Sequence, residues 1–298
     1  MEASHSPVTA SVSTLASLRQ GDNGQAVLLL HGLCANPLEV QPVGRLLYQS
    51  GCTVHAPLLQ GMGVDALALR RGWQPTPYEA WIEEAAAHLQ ALADTHERVA
   101  VVGLCLGAVL ALALAQRVPV SSLVLISPTL FFDGWNVSPW RRLLPLAYLP
   151  GLRDRLSFAE RAPYGIKNPR LQKWVAQSMV ADGLCAVGAA RLPAASLFQA
   201  ERLIRHVKPG LSRVHAPTLV MHATEDDVAS PRSVHLLEQQ LGRAPEVAWY
   251  HDSYHMLTLD NERAAVCERA RRFVLQHHDA AADDASNTLI LPQLEALA

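Results

Sequence analysis

Short apolar runs alternate along the chain with stretches whose apolar positions recur every three or four residues, a strand signature followed by a helical one. "AVLLLHG" (26–32) reads as a strand, 37–50 as a helix and "CTVHAPLL" (52–59) as the next strand. A helix over 77–96, a strand in "RVAVVG" (98–103), a helix from Cys105 and a strand in "SSLVLISP" (121–128) follow. The alternation breaks near Pro128. It resumes with a strand in "APTLVMHA" (216–223), a helix over 230–242, a strand in "EVAWYH" (246–251) and a last helix over 260–278. Repeated strand-then-helix units predict an α/β fold with a parallel sheet covered on both faces.

The interval 129–214 carries aromatic residues and prolines without that alternation, which predicts short helices and turns inserted as a cap on one side of the sheet. The expected organisation is a flexible lead (1–24), a core in two pieces (25–128 and 215–278), the cap (129–214) and an acidic tail (279–298). "VAVVGLCLGAVLALALA" (99–115) is the one run long enough to imitate a membrane span. Two glycines in its middle, β-branched residues before them and Ala/Leu after them predict a buried strand, a turn and a buried helix instead.

Half of the 298 residues are hydrophobic, enough for a large core. The net charge of −2 and the lack of nucleic-acid-binding signatures argue against a nucleic-acid partner. Charge is unevenly shared: 129–214 holds 13 Lys and Arg against 5 Asp and Glu, a net +8, so the remainder is net −10. Five cysteines without CxxC spacing, and a start that lacks a basic segment followed by an apolar run, predict a cytoplasmic protein.

Gly103-Leu104-Cys105-Leu106-Gly107 joins a predicted strand to a predicted helix. That is the context of a nucleophile elbow, where a sharp turn lifts the central side chain above the sheet and glycines permit close backbone approach. A helix N-terminus favours a thiolate there, although a lone cysteine is also compatible with a small buried apolar residue. A nucleophile needs a base, and the base an orienting acid. Asp226 follows one predicted strand and His255 the next, in the order nucleophile, acid, base; Glu225, Asp227 and Asp133 are competing acids. In "LLLHGLC", a turn at Gly32 aims the Leu33 N–H at the same point as the Leu106 N–H, forming an expected oxyanion hole. His31 is expected to shape that turn by hydrogen bonding, Cys34 to pack, and Phe131, Trp135 and Trp140 of the cap to line an acyl pocket.

His31-Gly32-Leu33, the 103–107 elbow, Trp81, "ATEDDVASP" around Asp226 and "SYHMLTLDNE" around His255 together resemble the α/β-hydrolase superfamily. In particular they resemble its capped carboxylesterase and monoacylglycerol-lipase-like branch, over about residues 26–274. The resemblance implies an eight-stranded, mostly parallel sheet, a helical cap over the site, no cofactor or metal, and attack on an acyl carbonyl. Two positions depart from it: Met62, where such enzymes often have histidine, and Cys105, where the branch has serine. Similar Cys elbows occur in dienelactone hydrolases, polyhydroxyalkanoate synthases and some thioesterase domains.

A thiolate attacks thioesters readily and its acyl adduct remains reactive to water, alcohols, thiols and amines. Cys105 therefore leads to the expectation of a thioesterase-like hydrolase or acyltransferase with an acyl-Cys105 intermediate. The basic cap would receive coenzyme A or an acyl carrier protein. The alternatives are a carboxylesterase or lactone hydrolase, and a catalytically inactive protein that binds an apolar ligand.

Overall fold

The computed structural model describes residues 21, 23–64, 73–182, 184–185 and 188–288. The proposed lead and the end of the tail lie largely outside the described residues. In chain order the first half comprises β1 (Gln25–Leu30), α1 (Gln41–Gln49), β2 (Thr53–His55), α2 (Tyr78–Ala93), β3 (Arg98–Leu104), α3 (Leu106–Ala115) and β4 (Ser122–Ile126). The insertion contributes α4 (Leu144–Ala147), β5 (Ser157–Ala159), α5 (Pro169–Asp182), β6 (Leu184–Cys185), β7 (Gly188–Ala189), β8 (Arg191–Pro193) and α6 (Ala194–Val207). The core then closes with β9 (Thr218–Ala223), α7 (Arg232–Gln240), β10 (Glu246–Tyr250) and α8 (Arg263–Thr288).

Six strands form one sheet in the order β10-β9-β4-β3-β1-β2, and every neighbouring pair is parallel. This is the α/β-hydrolase fold with a cap insertion. The described residues carry six of the eight strands that the resemblance implies. Alternation along β1 explains the two-faced core. Ala26, Leu28 and Leu30 join the cluster beneath α2 and α3, while Val27 and Leu29 join the one beneath α1 and α8. The 99–115 run divides at Cys105 into β3 and α3. Leu106 through Leu114 are all buried, so α3 needs no polar face.

Two expected elements come out shorter or split. The strand at 52–59 is paired only over Thr53–His55, an edge strand that ends shortly before Pro57. The helix at 37–50 begins as a separate turn, Pro37–Glu39, capped by the Asn36 side chain accepting from the Leu38 N–H. The last helix runs past 278 to Thr288, through the helix-favouring Ala280-Ala281-Ala282.

The insertion is not purely helical. Two antiparallel ribbons, β5 with β8 and β6 with β7, stand beside its helices. Its last helix, α6, buries Leu203, Ile204 and Val207 in the same cluster as α3, so the end of the insertion packs on the core.

The crossing of α3 over the sheet is the tightest point of the fold. A Cβ on Gly107 would overlap the Leu30 carbonyl, and one on Gly103 would overlap the Gly107 backbone. Gly107→Ala should destabilise the protein by about 1–3 kcal/mol, the usual cost of overpacking, read as a lower urea midpoint at an unchanged m-value.

Candidate active site

Five turns that leave the C-terminal ends of β1, β3, β4, β9 and β10 supply the site, the edge where parallel α/β sheets place functional groups. Cys105 sits between β3 and α3 with φ 57° and ψ −117°, a left-handed conformation uncommon for a residue with a Cβ. Its N–H donates to the Ile126 carbonyl at 2.9 Å, tying the turn to β4. Sγ lies 3.3 Å from Thr129 Oγ1, whose hydroxyl also reaches the Ser127 carbonyl at 3.2 Å.

Behind Cys105 stands a buried His–Asp pair. His255 Nδ1 is 2.8 and 3.0 Å from the two oxygens of Asp226, and the residues are 4 % and 2 % exposed. Asp226 Oδ1 also accepts the Val228 and Ala229 N–H groups, each at 2.8 Å. Burial pushes the Asp226 carboxyl up, but His255, His222 and the Ala229 N–H outweigh it and hold the group ionised below its ordinary value. Burial likewise pushes His255 down, yet Asp226 and Cys105 carry it well above its ordinary value. The buried His255 Nε2 has no hydrogen-bond partner among the described residues. At Cys105 burial raises the thiol, and the charge of the neighbouring His255 together with Thr129 and the Leu106 N–H leaves it below the ordinary value.

The competing acids are occupied elsewhere. Asp227 Oδ2 accepts the Gly165 N–H at 3.2 Å, Glu225 pairs with Lys167 at 2.7 Å, and Asp133 accepts the Ser230 N–H at 3.0 Å.

The β1 turn is built by His31. The Leu59 N–H donates to His31 Nε2 at 3.1 Å, so the proton of the neutral ring is on Nδ1, which donates to the Gly32 carbonyl at 2.8 Å. Burial keeps that ring neutral, with its pKa lowered to about 4. A Cβ on Gly32 would stand 3.1 Å from Glu39 Oε2 and 3.4 Å from the Cys105 Cβ, so the turn passes directly beside the elbow. Leu33 follows it and packs against the same hydrophobic cluster as Cys105. Cys34 is fully buried, and burial pushes its thiol up to about 12, which removes it as a nucleophile.

Of the three expected pocket aromatics, Phe131 packs on the same hydrophobic cluster as Cys105. Phe131 lies between Lys208 Nζ and the Arg232 guanidinium, 3.5 and 3.8 Å from the ring centre. Trp135 donates its indole N–H to the Glu225 carbonyl at 2.9 Å, and Trp140 is 77 % exposed.

Four site residues escaped the sequence reading. Thr129 touches the Cys105 sulfur, and Ser127 Oγ donates to the His255 carbonyl at 2.6 Å. Both follow the end of β4, a position that could have flagged them. Buried Glu39 accepts the Gly32 N–H at 2.8 Å, and desolvation lifts its carboxyl well above the ordinary value. Its place in Asn36-Pro37-Leu38-Glu39 resembles helix capping, which hides this contact. Asp260 accepts the Tyr254, Lys167 and Asn168 N–H groups at 2.9, 2.6 and 3.0 Å, joining the His255 loop to the cap.

Among the described residues no group of three or more His, Cys, Asp or Glu is arranged to hold a metal ion. No helix among them is long and apolar enough to cross a membrane.

Residues 21–262 match the Hydrolase_4 family, described as "Serine aminopeptidase, S33". A carboxylesterase of Bacillus subtilis (strain 168) is 26 % identical over 251 residues, 84 % of this chain and 92 % of that protein. A thermostable monoacylglycerol lipase of Bacillus sp. (strain H-257) is 25 % identical over 262 residues, 86 % and 93 % of the two chains. The structure of a metagenome-derived lipolytic enzyme superposes with a TM-score of 0.72 at 22 % identity, covering 88 % of this chain and 97 % of the other.

These matches overturn the expectation of a Cys-nucleophile branch with thioesterase or acyltransferase chemistry. They place the chain with serine-type carboxylesterases and lipases along most of its length. Cys105 is a difference at one position inside that likeness. The thioester expectation rested on that single side chain, whereas the likeness to ester hydrolases runs along most of the chain.

Two measurements test the electrostatics. Cys105 should be alkylated by iodoacetamide at least tenfold faster at pH 7 than Cys34 or Cys267, whose thiols burial raises; in Asp226→Asn its alkylation profile should move to higher pH. His31, depressed to about 4 when folded, favours the folded state fully above its unfolded pKa of about 6.5. That stability should fall by about 3 kcal/mol as pH drops from 6.5 to 4, and His31→Gln should flatten this part of the pH–stability curve.

Proposed function

Because this chain belongs to the Hydrolase_4 family and is an α/β-hydrolase-fold enzyme acting on ester bonds, we propose that it is a hydrolase of the carboxylesterase and lipase type, working at Cys105, His255 and Asp226. The observation that carries the reading is the buried Asp226–His255 pair behind a positive-φ elbow. In it Asp226 orients the ring through Nδ1 and leaves Nε2 for the elbow residue. His255 takes the proton of the attacking group and returns it to the departing alcohol. Leu33 and Leu106 N–H groups form the oxyanion hole, and the proposed cap, 129–214, covers the acyl side.

Each part of this apparatus suits a serine. A tetrahedral adduct formed by a thiol on an alkyl ester can expel either a thiolate, from an acid of pKa about 8.5, or a far more basic alkoxide. Expulsion of the thiolate returns substrate, so Cys105 slows turnover of unactivated esters. A serine at the same place would give two leaving groups of similar basicity. With a carboxylic ester as the substrate, the basic cap no longer calls for coenzyme A or an acyl carrier protein. A reducing compartment such as the cytoplasm suits the free thiols of Cys34, Cys52, Cys105 and Cys267.

The test is hydrolysis of p-nitrophenyl butyrate and a short monoacylglycerol by wild type, Cys105→Ser, Cys105→Ala and His255→Ala. Cys105→Ser should raise kcat/KM on the monoacylglycerol about tenfold or more, while the alanine variants should lose about 10³-fold or more of the wild-type rate on the activated ester. Alanine variants that match wild type would remove the site assignment. Inactivity of both wild type and Cys105→Ser would instead leave a protein that only binds an apolar ligand.

A further inference from the structure

Large apolar side chains on the described surface are concentrated in one place. Nine of the ten that are exposed lie between Trp135 and Trp174, in the insertion. Trp140, Leu143, Leu146, Leu149, Leu152 and Leu156 follow one another at intervals of three or four residues, between 38 and 77 % exposed. They run along one continuous segment, from the 3-10 turn Pro139–Leu143 through α4 to the turns before β5. A folded protein in water seldom leaves such a row uncovered unless something docks on it.

The charges around the row choose the occupant. Residues 135–174 hold eight Lys and Arg against two Asp and Glu. Arg141, Arg142, Arg155, Arg161, Arg170 and Lys173 have no ion-pair partner among the described residues. Arg141 and Arg142 separate Trp140 from Leu143, and Arg153 and Arg155, with Asp154 between them, separate Leu152 from Leu156, so cations flank the apolar row at both ends. In a symmetric dimer this patch would face its own charge, which is unfavourable. A layer of acyl chains beneath anionic headgroups complements both features: leucines enter the acyl boundary, the tryptophan settles at the interface and arginines meet phosphates.

We propose that the segment 139–156 is a docking surface for an anionic lipid bilayer. The chain lies on the membrane there by shallow insertion of the Trp140–Leu156 row, with the neighbouring arginines supplying a salt-sensitive attraction. This assignment is independent of the ester-hydrolase reading, because it concerns adsorption and not turnover.

The experiment is co-sedimentation of the full chain with vesicles of phosphatidylcholine alone or mixed equally with phosphatidylglycerol, at low and high salt. Leu146→Ser/Leu149→Ser and Arg141→Glu/Arg142→Glu are compared with wild type after circular dichroism shows each to be folded. Wild type should bind the mixed vesicles at least tenfold more tightly than phosphatidylcholine alone and lose most binding at high salt. The arginine variant should lose the preference for anionic lipid, and the leucine variant should lose binding to both. Absence of wild-type binding at low salt would overturn the proposal, as would binding that neither variant weakens. So would a dimer seen by light scattering that the leucine variant dissociates without any vesicle binding, since a second copy would then cover the row.

Discussion

The close seating of α3 on the sheet is the constraint from which the site follows. Gly103 and Gly107 let the first turn of the helix meet β1 and β3 at backbone distance. With the strand ending at Leu104 and the helix starting at Leu106, one residue must make the whole turn. That residue takes φ 57°, which directs Cys105 away from the packed interior and leaves the Leu106 N–H at the open first turn of a helix. The glycine turn after β1 passes alongside. Steric necessity thus assembles the elbow and both proposed oxyanion donors before electrostatics enters.

Electrostatics then sorts the buried acids into different states. Asp226 accepts two backbone N–H groups and a histidine and stays ionised against the cost of burial. Glu39 has a single backbone donor beside the elbow, and burial drives it the other way. Asp227 is raised by burial too, and Glu160 reaches about 7 through burial and the neighbouring Asp227. Of these four acids, Asp226 is the one whose charge its surroundings support, and it is the one aligned with His255. A second full charge beside it would compete for the imidazolium on which proton transfer depends.

Much of this was legible in the chain. Strand and helix periodicities located the core strands and helices, the last helix excepted at its C-terminal end, to within a few residues, because a sheet buried on both faces leaves a continuous apolar signature. Cys105, Asp226 and His255 were singled out because each follows a recognisable strand, and the structure brings Asp226 and His255 into contact. Thr129 and Ser127 were not, since a Ser-Pro-Thr sequence after a strand reads as an ordinary turn and only the fold brings it against the sulfur. Glu39 looked like a capping residue. The cap was the least legible part: its ribbons have strands of two or three residues, too short for periodicity to register. The weight placed on Cys105 shows the opposite hazard, in which one conspicuous side chain redirected the expected substrate away from what the rest of the chain indicated.

Asp260 links the insertion to the His255 loop in a way that neither part reveals alone. One carboxylate receives the Tyr254 N–H, one residue before His255, and the Lys167 and Asn168 N–H groups of the insertion. Gly165 adds a second bridge, accepting from the Met256 N–H at 2.7 Å and donating to Asp227. The loop that holds His255 is thereby clamped from below by Ser127 and from above by the insertion. Displacing the 165–168 segment would break hydrogen bonds on both sides of His255. The 139–156 segment is held instead within the insertion, where the Leu156 carbonyl accepts the Ala194 N–H and Tyr148 and Arg153 pack on the Phe198 ring.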